Sequence, residues 1–221
     1  MITAAFDAKQ KLLALSALLA ILGSAFWIYR TEFRSPGINV PLQEAVGQAM
    51  AKETSHLLGN SGNLVIVTAE TSGIPELKVQ VEAFEKELKR LGAITITDKV
   101  ALDPGEESKY RPGAGLSAKR FLKIVRKHHR AGAIVSFVGA PHLSDAELEQ
   151  LKSAPKFIAE THSPEKLVNL FEKKVLLAAV VPRYEFPAPG PRKPRTRSEW
   201  FERYFQVVAP GKDLPKQDEL P

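Results

Sequence analysis

The chain predicts an α/β protein: one N-terminal transmembrane helix followed by a three-layer, doubly wound domain with a mainly parallel five-stranded sheet. Three observations carry that reading. The residues from Leu12 to Tyr29 run without a charge or a proline. Short apolar, often β-branched runs recur through the rest of the chain: LVIVT, AITIT, AIVSFV, KFIA and VLLAAVV. Between them lie longer segments whose apolar residues repeat at helical spacing. Strands alternating with helices imply parallel pairing, right-handed crossovers and helices on both faces of one sheet.

The first run, LLALSALLAILGSAFWIY, has about 18 residues, close to the minimum that crosses a hydrocarbon core of about 30 Å at about 1.5 Å per residue. Trp27 and Tyr29 end it, where amphipathic rings favour the headgroup region. Lys9 and Lys11 flank one side, Arg30 and Arg34 the other. A cleaved signal peptide shares the basic start and apolar middle. This run is longer than a usual signal core, and Gly23-Ser24-Ala25 lies inside it rather than after it. The expectation is an uncleaved single-pass anchor in the cytoplasmic (inner) membrane, in contact with the lipid bilayer through Leu12 to Tyr29. Cation counts at the two ends tie, so the positive-inside rule does not decide orientation. The short N-terminal tail favours a periplasmic, extracytoplasmic domain. The domain expectation is therefore an anchor at 1–34, an α/β domain at 35–182, and an arm, aromatic segment and tail at 183–221.

Ser35-Pro36-Gly37 breaks the first helix. Pro41 opens an amphipathic helix running to about 58, with Val46, Met50, Leu57 and Leu58 on its apolar face and Gly59-Asn60 at its end. LVIVT (64–68) reads as a strand buried on both faces. Pro75 suits the first turn of the next helix, where Leu77, Val81, Phe84, Leu88 and Leu91 recur until Gly92. AITIT (93–97) is the second strand. A proline- and glycine-rich loop follows at 103–115. Ser117 caps a helix with Phe121, Leu122 and Val125 inward, ending at Gly132. The third strand is 133–138. Ser144 and Glu147 form a capping box. The fourth strand is 156–159. Ser163-Pro164 opens a helix bearing Leu167, Leu170 and Phe171, and 175–181 is the fifth strand. The stretch YEFPAPGPRKPRTR forms no regular element. EWFERYFQVV (199–208) reads as a short helix leading to a strand that packs back.

Charged residues are 25% of the 221 and hydrophobic residues 44%, as in a folded protein. The net charge is +6 and the pI about 9.4, a mild basic excess. There is no cysteine. That excludes disulfides, thiolate chemistry, iron–sulfur clusters, cysteine zinc sites and an acylated-cysteine anchor. No basic stripe is interleaved with exposed aromatics, so nucleic acid is not an expected partner.

The order of these elements carries a resemblance. A helix ending in LLGNSG, then NLVIVT, a helix ending in LKRLG, AITIT, AIVSFVGAP, KFIAE and VLLAAVVPR together cover roughly 42–183. This pattern resembles one lobe of the type I periplasmic binding proteins. Those receptors have two lobes and hold a small ligand in the cleft between them, and this chain has length for one. In sugar-binding members an Asn-Asp pair follows the third strand, where Gly139-Ala140-Pro141 stands here. An Asp commonly follows the next strand, where Glu160-Thr161-His162 stands here. The resemblance thus implies the fold without its sugar-binding residues, and no binding residue is carried over.

Candidate surfaces follow from the strand ends, where open α/β sheets gather ligands. Thr71, Ser72 and Gly73 follow the first strand. They form either a plain turn or an anion-holding helix start. Gly139, Pro141 and His142 follow the third strand. Glu160 and His162 end the fourth and, with Glu70, are the one candidate acid–base or metal cluster. His128 and His129 are adjacent on a helix and so do not form a chelating pair; they read as a basic helix end. Ser136 lies inside a strand, not at a GxSxG elbow, and no GxGxxG or GxxxxGK[ST] occurs. Arg183, Arg192, Lys193, Arg195 and Arg197, with Trp200, Phe201, Tyr204 and Phe205, form either a docking arm or a terminal packing element. No cofactor, metal ligand or catalytic residue is assigned. The functional expectation is a membrane-anchored, non-catalytic interaction or scaffold subunit of a larger membrane assembly, with other membrane protein subunits as partners. The alternative is a small-ligand receptor or sensor whose cleft is completed by a partner chain.

Overall fold

The computed structural model describes residues 8–28, 38–70, 74–102, 116–151, 153–163, 167–183 and 192–210. The chain divides into two compact units, Met1–Ile38 and Asn39–Pro221.

The first unit holds helix α1 (Ala8–Ile28). Its 21 residues span about 31 Å at the α-helical rise. Side chains are described for 14–24, all of them exposed. Among the described residues no helix is long and apolar enough to cross a membrane. The stretch with described side chains is only about 16 Å long, so the transmembrane expectation over Leu12 to Tyr29 reaches beyond it. Tyr29, Arg30 and Arg34 lie outside the described residues, as do the side chains of Lys9, Lys11 and Trp27.

In the second unit the elements run α2 (Val40–Leu58), β1 (Ser61–Ala69), α3 (Pro75–Leu91), β2 (Ala93–Leu102), α4 (Ala118–Lys127), β3 (Ala133–Ser136), α5 (Asp145–Glu149), β4 (Lys156–Glu160), α6 (Val168–Glu172), β5 (Leu176–Pro182), α7 (Arg197–Tyr204) and β6 (Phe205–Val208). They build one sheet in the order β2-β1-β3-β4-β5-β6. The first four pairings are parallel and β5–β6 is antiparallel. The five-stranded expectation is corrected to six. The sixth strand is the end of EWFERYFQVV, which lies on the edge of β5 through Ala179↔Val208 and Pro182↔Phe205.

Two apolar clusters lie on opposite faces of the sheet. Val65 and Val67 of β1 face α4, α5 and α6 through Phe121, Leu148 and Leu170. Leu64 and Ile66 face α2 and α3 through Met50, Phe84 and Leu88. The period-2 alternation of β1 thus feeds both layers. Phe84 is fully buried and meets Phe137 edge-on, with centroids 5.3 Å apart. Burying one such ring stabilises the fold by about 1.5–3 kcal/mol.

Local chemistry sets the boundaries. Asn39 Oδ1 accepts from the N–H of Leu42 at 3.4 Å, and Gly59 ends α2 in the left-handed region at φ 67°. The carboxylate of Glu147 accepts from both the N–H and the hydroxyl of Ser144, each at 2.8 Å. Those bonds hold its pKa below the usual range. α4 stops at Lys127, five residues before Gly132, because residues 128–130 form a turn.

β2 runs past AITIT to Leu102. Between Leu64↔Ile96 and Val65↔Asp98 one residue is inserted, Thr97, whose hydroxyl donates to the carbonyl of Leu64 at 3.0 Å. This bulge exchanges the two faces. Ile94 and Ile96 pack with the α2–α3 layer, whereas Val100 and Leu102 pack with the α4 layer.

Candidate functional site

In the order β2-β1-β3-β4-β5 the chain reverses direction across the sheet at β1 and β3. Ligands of open α/β sheets bind beyond the carboxyl ends of the strands at such a switch point. The residues there are Glu70 after β1, the segment 137–143 after β3, and Glu160 to His162 at the end of β4.

At the β1 end, Glu70 is exposed and donates its N–H to Leu102 O at 3.2 Å. Thr71, Ser72 and Gly73 lie outside the described residues. After β3 the backbone folds inward. The hydroxyl of Ser136 donates to Gly139 O at 2.7 Å and accepts from the N–H of Val138 at 3.3 Å. Gly139 has φ 92°, a conformation that a side chain disfavours. Gly139, Ala140 and Pro141 are buried, and His142 is exposed. The serine thus shapes a turn, and Gly139 and Pro141 offer no open surface.

Glu160 is the polar centre of this end. Its carboxylate is 7% exposed, and Oε1 lies 3.0 Å from Nε2 of His162, whose side chain is 66% exposed. Oε1 is buried, and its contact among the described residues is this imidazole. The adjacent carboxylate raises the His162 pKa above its ordinary value, against the opposing effect of desolvation. The ring also meets Phe205 of β6 edge-on at 6.3 Å. The N–H of Thr161 continues the ladder to Val180 O at 3.0 Å, and its hydroxyl accepts from the N–H of Ser163 at 3.2 Å. Glu160 and His162 therefore meet. Glu70 ends a strand separated from β4 by β3, about 10 Å away at ordinary strand spacing. Among the described residues no group of three or more His, Asp or Glu side chains is placed to hold a metal ion.

The candidate arm divides. Arg183 binds the junction of α7 and β6: its N–H donates to Tyr204 O at 2.8 Å and its Nε to Phe205 O at 3.1 Å. Arg197 pairs with Glu44 of α2 at 2.7 Å. Trp200 is 9% exposed and stacks on Tyr204 with centroids 5.6 Å apart. The aromatic half is thus a packing element, while Arg192, Lys193 and Arg195 remain exposed. Residues 184–191 lie outside the described residues.

A second polar cluster sits at the opposite end of the strands, where the sequence marked only His128 and His129. An opening of about 180 Å³ is lined by Asn63, Thr97, Lys127, His128, His129 and Arg130, among others. Asp98 lies 3.2 Å from Lys127 and 3.3 Å from His128, and its pKa is lowered chiefly by the bond from Lys127. The break in alternation at Thr97-Asp98 was the available signal for this residue.

No protein-family model matches the chain, and no curated protein matches it. Solved structures do. GanP, a glucose-galactose binding protein from Geobacillus stearothermophilus, aligns with a TM-score of 0.51 at 14% identity, over 79% of this chain and 62% of that one. The XylFII molecule aligns with a TM-score of 0.51 at 16% identity, over 76% and 60%. An ABC-transporter solute-binding protein from Burkholderia graminis, in complex with D-arabinose, aligns with a TM-score of 0.47 at 15% identity, over 63% and 47%. The chain spans between 47% and 62% of the length of these neighbours. At such identities the likeness shows the fold, which is periplasmic-binding-protein-like.

Proposed function

We propose that the chain is a non-catalytic small-ligand receptor or sensor, with Glu160 at the centre of the ligand surface and the cleft completed by a partner chain. The single observation that carries this is the carboxylate of Glu160. A buried carboxylate holds about four acceptor sites, more than the contact with His162 engages. Here it sits at the carboxyl end of the sheet, where this fold class presents ligands. A ligand offering hydroxyl or ammonium donors would satisfy it. The GanP likeness supports a polyhydroxylated ligand, with Glu160 in place of the usual Asp and without the Asn-Asp pair. The scaffold reading rests on the absence of catalytic motifs, the single anchor and the basic aromatic arm, and the last of these spends Trp200 and Tyr204 on packing.

The same proposal places the domain outside the cytoplasm, anchored by α1. The support is a continuous 21-residue helix whose Leu15, Leu18, Leu19, Ile21 and Leu22 are 53–65% exposed. Water is a poor solvent for such a surface and lipid a good one.

The test is thermal unfolding of the full chain in mild detergent against a panel of monosaccharides, amino acids and polyamines. A ligand at about 100 times its Kd adds about 2.7 kcal/mol. For a domain of this size that is a rise of roughly 5–10 °C. A flat response across the panel, with and without the chain's membrane neighbours, would sink the receptor reading.

A further inference from the structure

We propose that the outer face of α4 binds an anionic phospholipid surface. The helix buries Phe121, Leu122, Ile124 and Val125 on one side. On the other, Lys119, Lys123 and Arg126 fall at spacings of four and three and so share one stripe. Lys127 flanks the stripe, and Arg130 follows in the next turn; all five are exposed. α4 contains no acidic residue. Lys127 meets Asp98, and Arg126 donates to the neutral amide of Gln150 at 3.0 Å. Lys119, Lys123 and Arg130 have no acidic partner among the described residues. Of the acids of α5, Glu147 is held by Ser144.

An ordinary solvated helix face mixes its signs, because like charges three or four apart repel. Lys119–Lys123, Lys123–Lys127 and Lys123–Arg126 are all like-charged, and the fold gains nothing from them. The face carries no exposed aromatic on which a base would stack, and no apolar anchor of the kind protein interfaces centre on. A flat, single-sign strip about 15 Å long suits a plane of lipid phosphates. The step to a bilayer rests on the anchor reading.

The experiment uses the full chain with vesicles of phosphatidylcholine alone or with phosphatidylglycerol. Flotation on phosphatidylcholine alone reports the anchor. Acylation of Lys119 and Lys123, followed by mass spectrometry, reports the face, with exposed Lys86 of α3 as reference. Each basic side chain contributes about fivefold to attachment. We expect Lys119 and Lys123 to react at least about fivefold more slowly on phosphatidylglycerol vesicles only. High salt should abolish the effect, and Lys86 should not change. The triple variant Lys119→Gln, Lys123→Gln, Arg126→Gln should lose the salt-sensitive protection of Lys127 while keeping or raising its unfolding midpoint. Equal acylation on both vesicle types overturns the proposal, as does protection by added RNA but not by phosphatidylglycerol. A chain that floats only on phosphatidylglycerol supports the α4 face and refutes the anchor.

Discussion

His162 and Glu160 form a pair with unequal exposure, and that inequality makes the pair measurable. The buried carboxylate raises the histidine pKa. A histidine with a raised folded pKa contributes stability that is fully present below its unfolded value, about 6.5, and is lost as pH rises through the folded value. An NMR titration of the full chain should therefore place the His162 pKa above about 6.5. The Glu160→Gln variant should return it to or below that value; an unchanged titration would show that the contact does not act electrostatically. Both residues were legible in the sequence as strand-end positions. Asp98 was not, because a strand read by alternation stops at Thr97. The inserted Thr97 exchanges the faces, sending Asp98 toward Lys127 and Lys99 toward Glu85 of α3.

Elements were read well where a period ran long and poorly where it was interrupted. α2 and α3 were legible from their apolar stripes and their stop signals, Gly59 and Gly92. Their close crossing was not, since it depends on one missing side chain. A Cβ on Gly47 would lie 2.2 Å from the backbone oxygen of Gln80 and 3.0 Å from Ala83 Cβ. The two helices would have to part. Gly47→Ala should cost about 1–3 kcal/mol, a fall of roughly 3–10 °C in unfolding midpoint by calorimetry; an unchanged midpoint would mean that the helices part freely. At the α2–α7 contact, packing should outweigh charge. Arg197→Ala loses a largely solvated ion pair worth at most about 1 kcal/mol. Trp200→Ala empties a buried aromatic site at about 3 kcal/mol or more. If denaturant titrations reverse that order, α7 is held by its ion pair instead. The short α5 was legible from its Ser144–Glu147 box. β6 was foreseen as a strand, but its place in the sheet was not, because an antiparallel edge pairing leaves no mark on local periodicity.

For the whole molecule, the alternation of strands and helices was sufficient to give the layers and the class, and the strand order required the structure. The central claim is that the carboxyl end of this sheet keeps a buried carboxylate, paired only with a largely exposed histidine among the described residues, because a ligand uses it. Functional sites hold such groups at a cost in stability. His162 is largely solvated, so removing its partner strands no buried charge there. The most direct measurement is the unfolding midpoint of wild type and Glu160→Met, each with and without the compounds of the ligand panel. At a pH above the His162 titration, where the pair no longer adds stability, the account predicts that Glu160→Met alone melts at or above wild type, by up to roughly 3 °C. It also predicts that the ligand-induced rise seen in wild type disappears. A Glu160→Met chain that melts several degrees lower, beside a wild type that no ligand stabilises, would make Glu160 a structural residue and contradict the account.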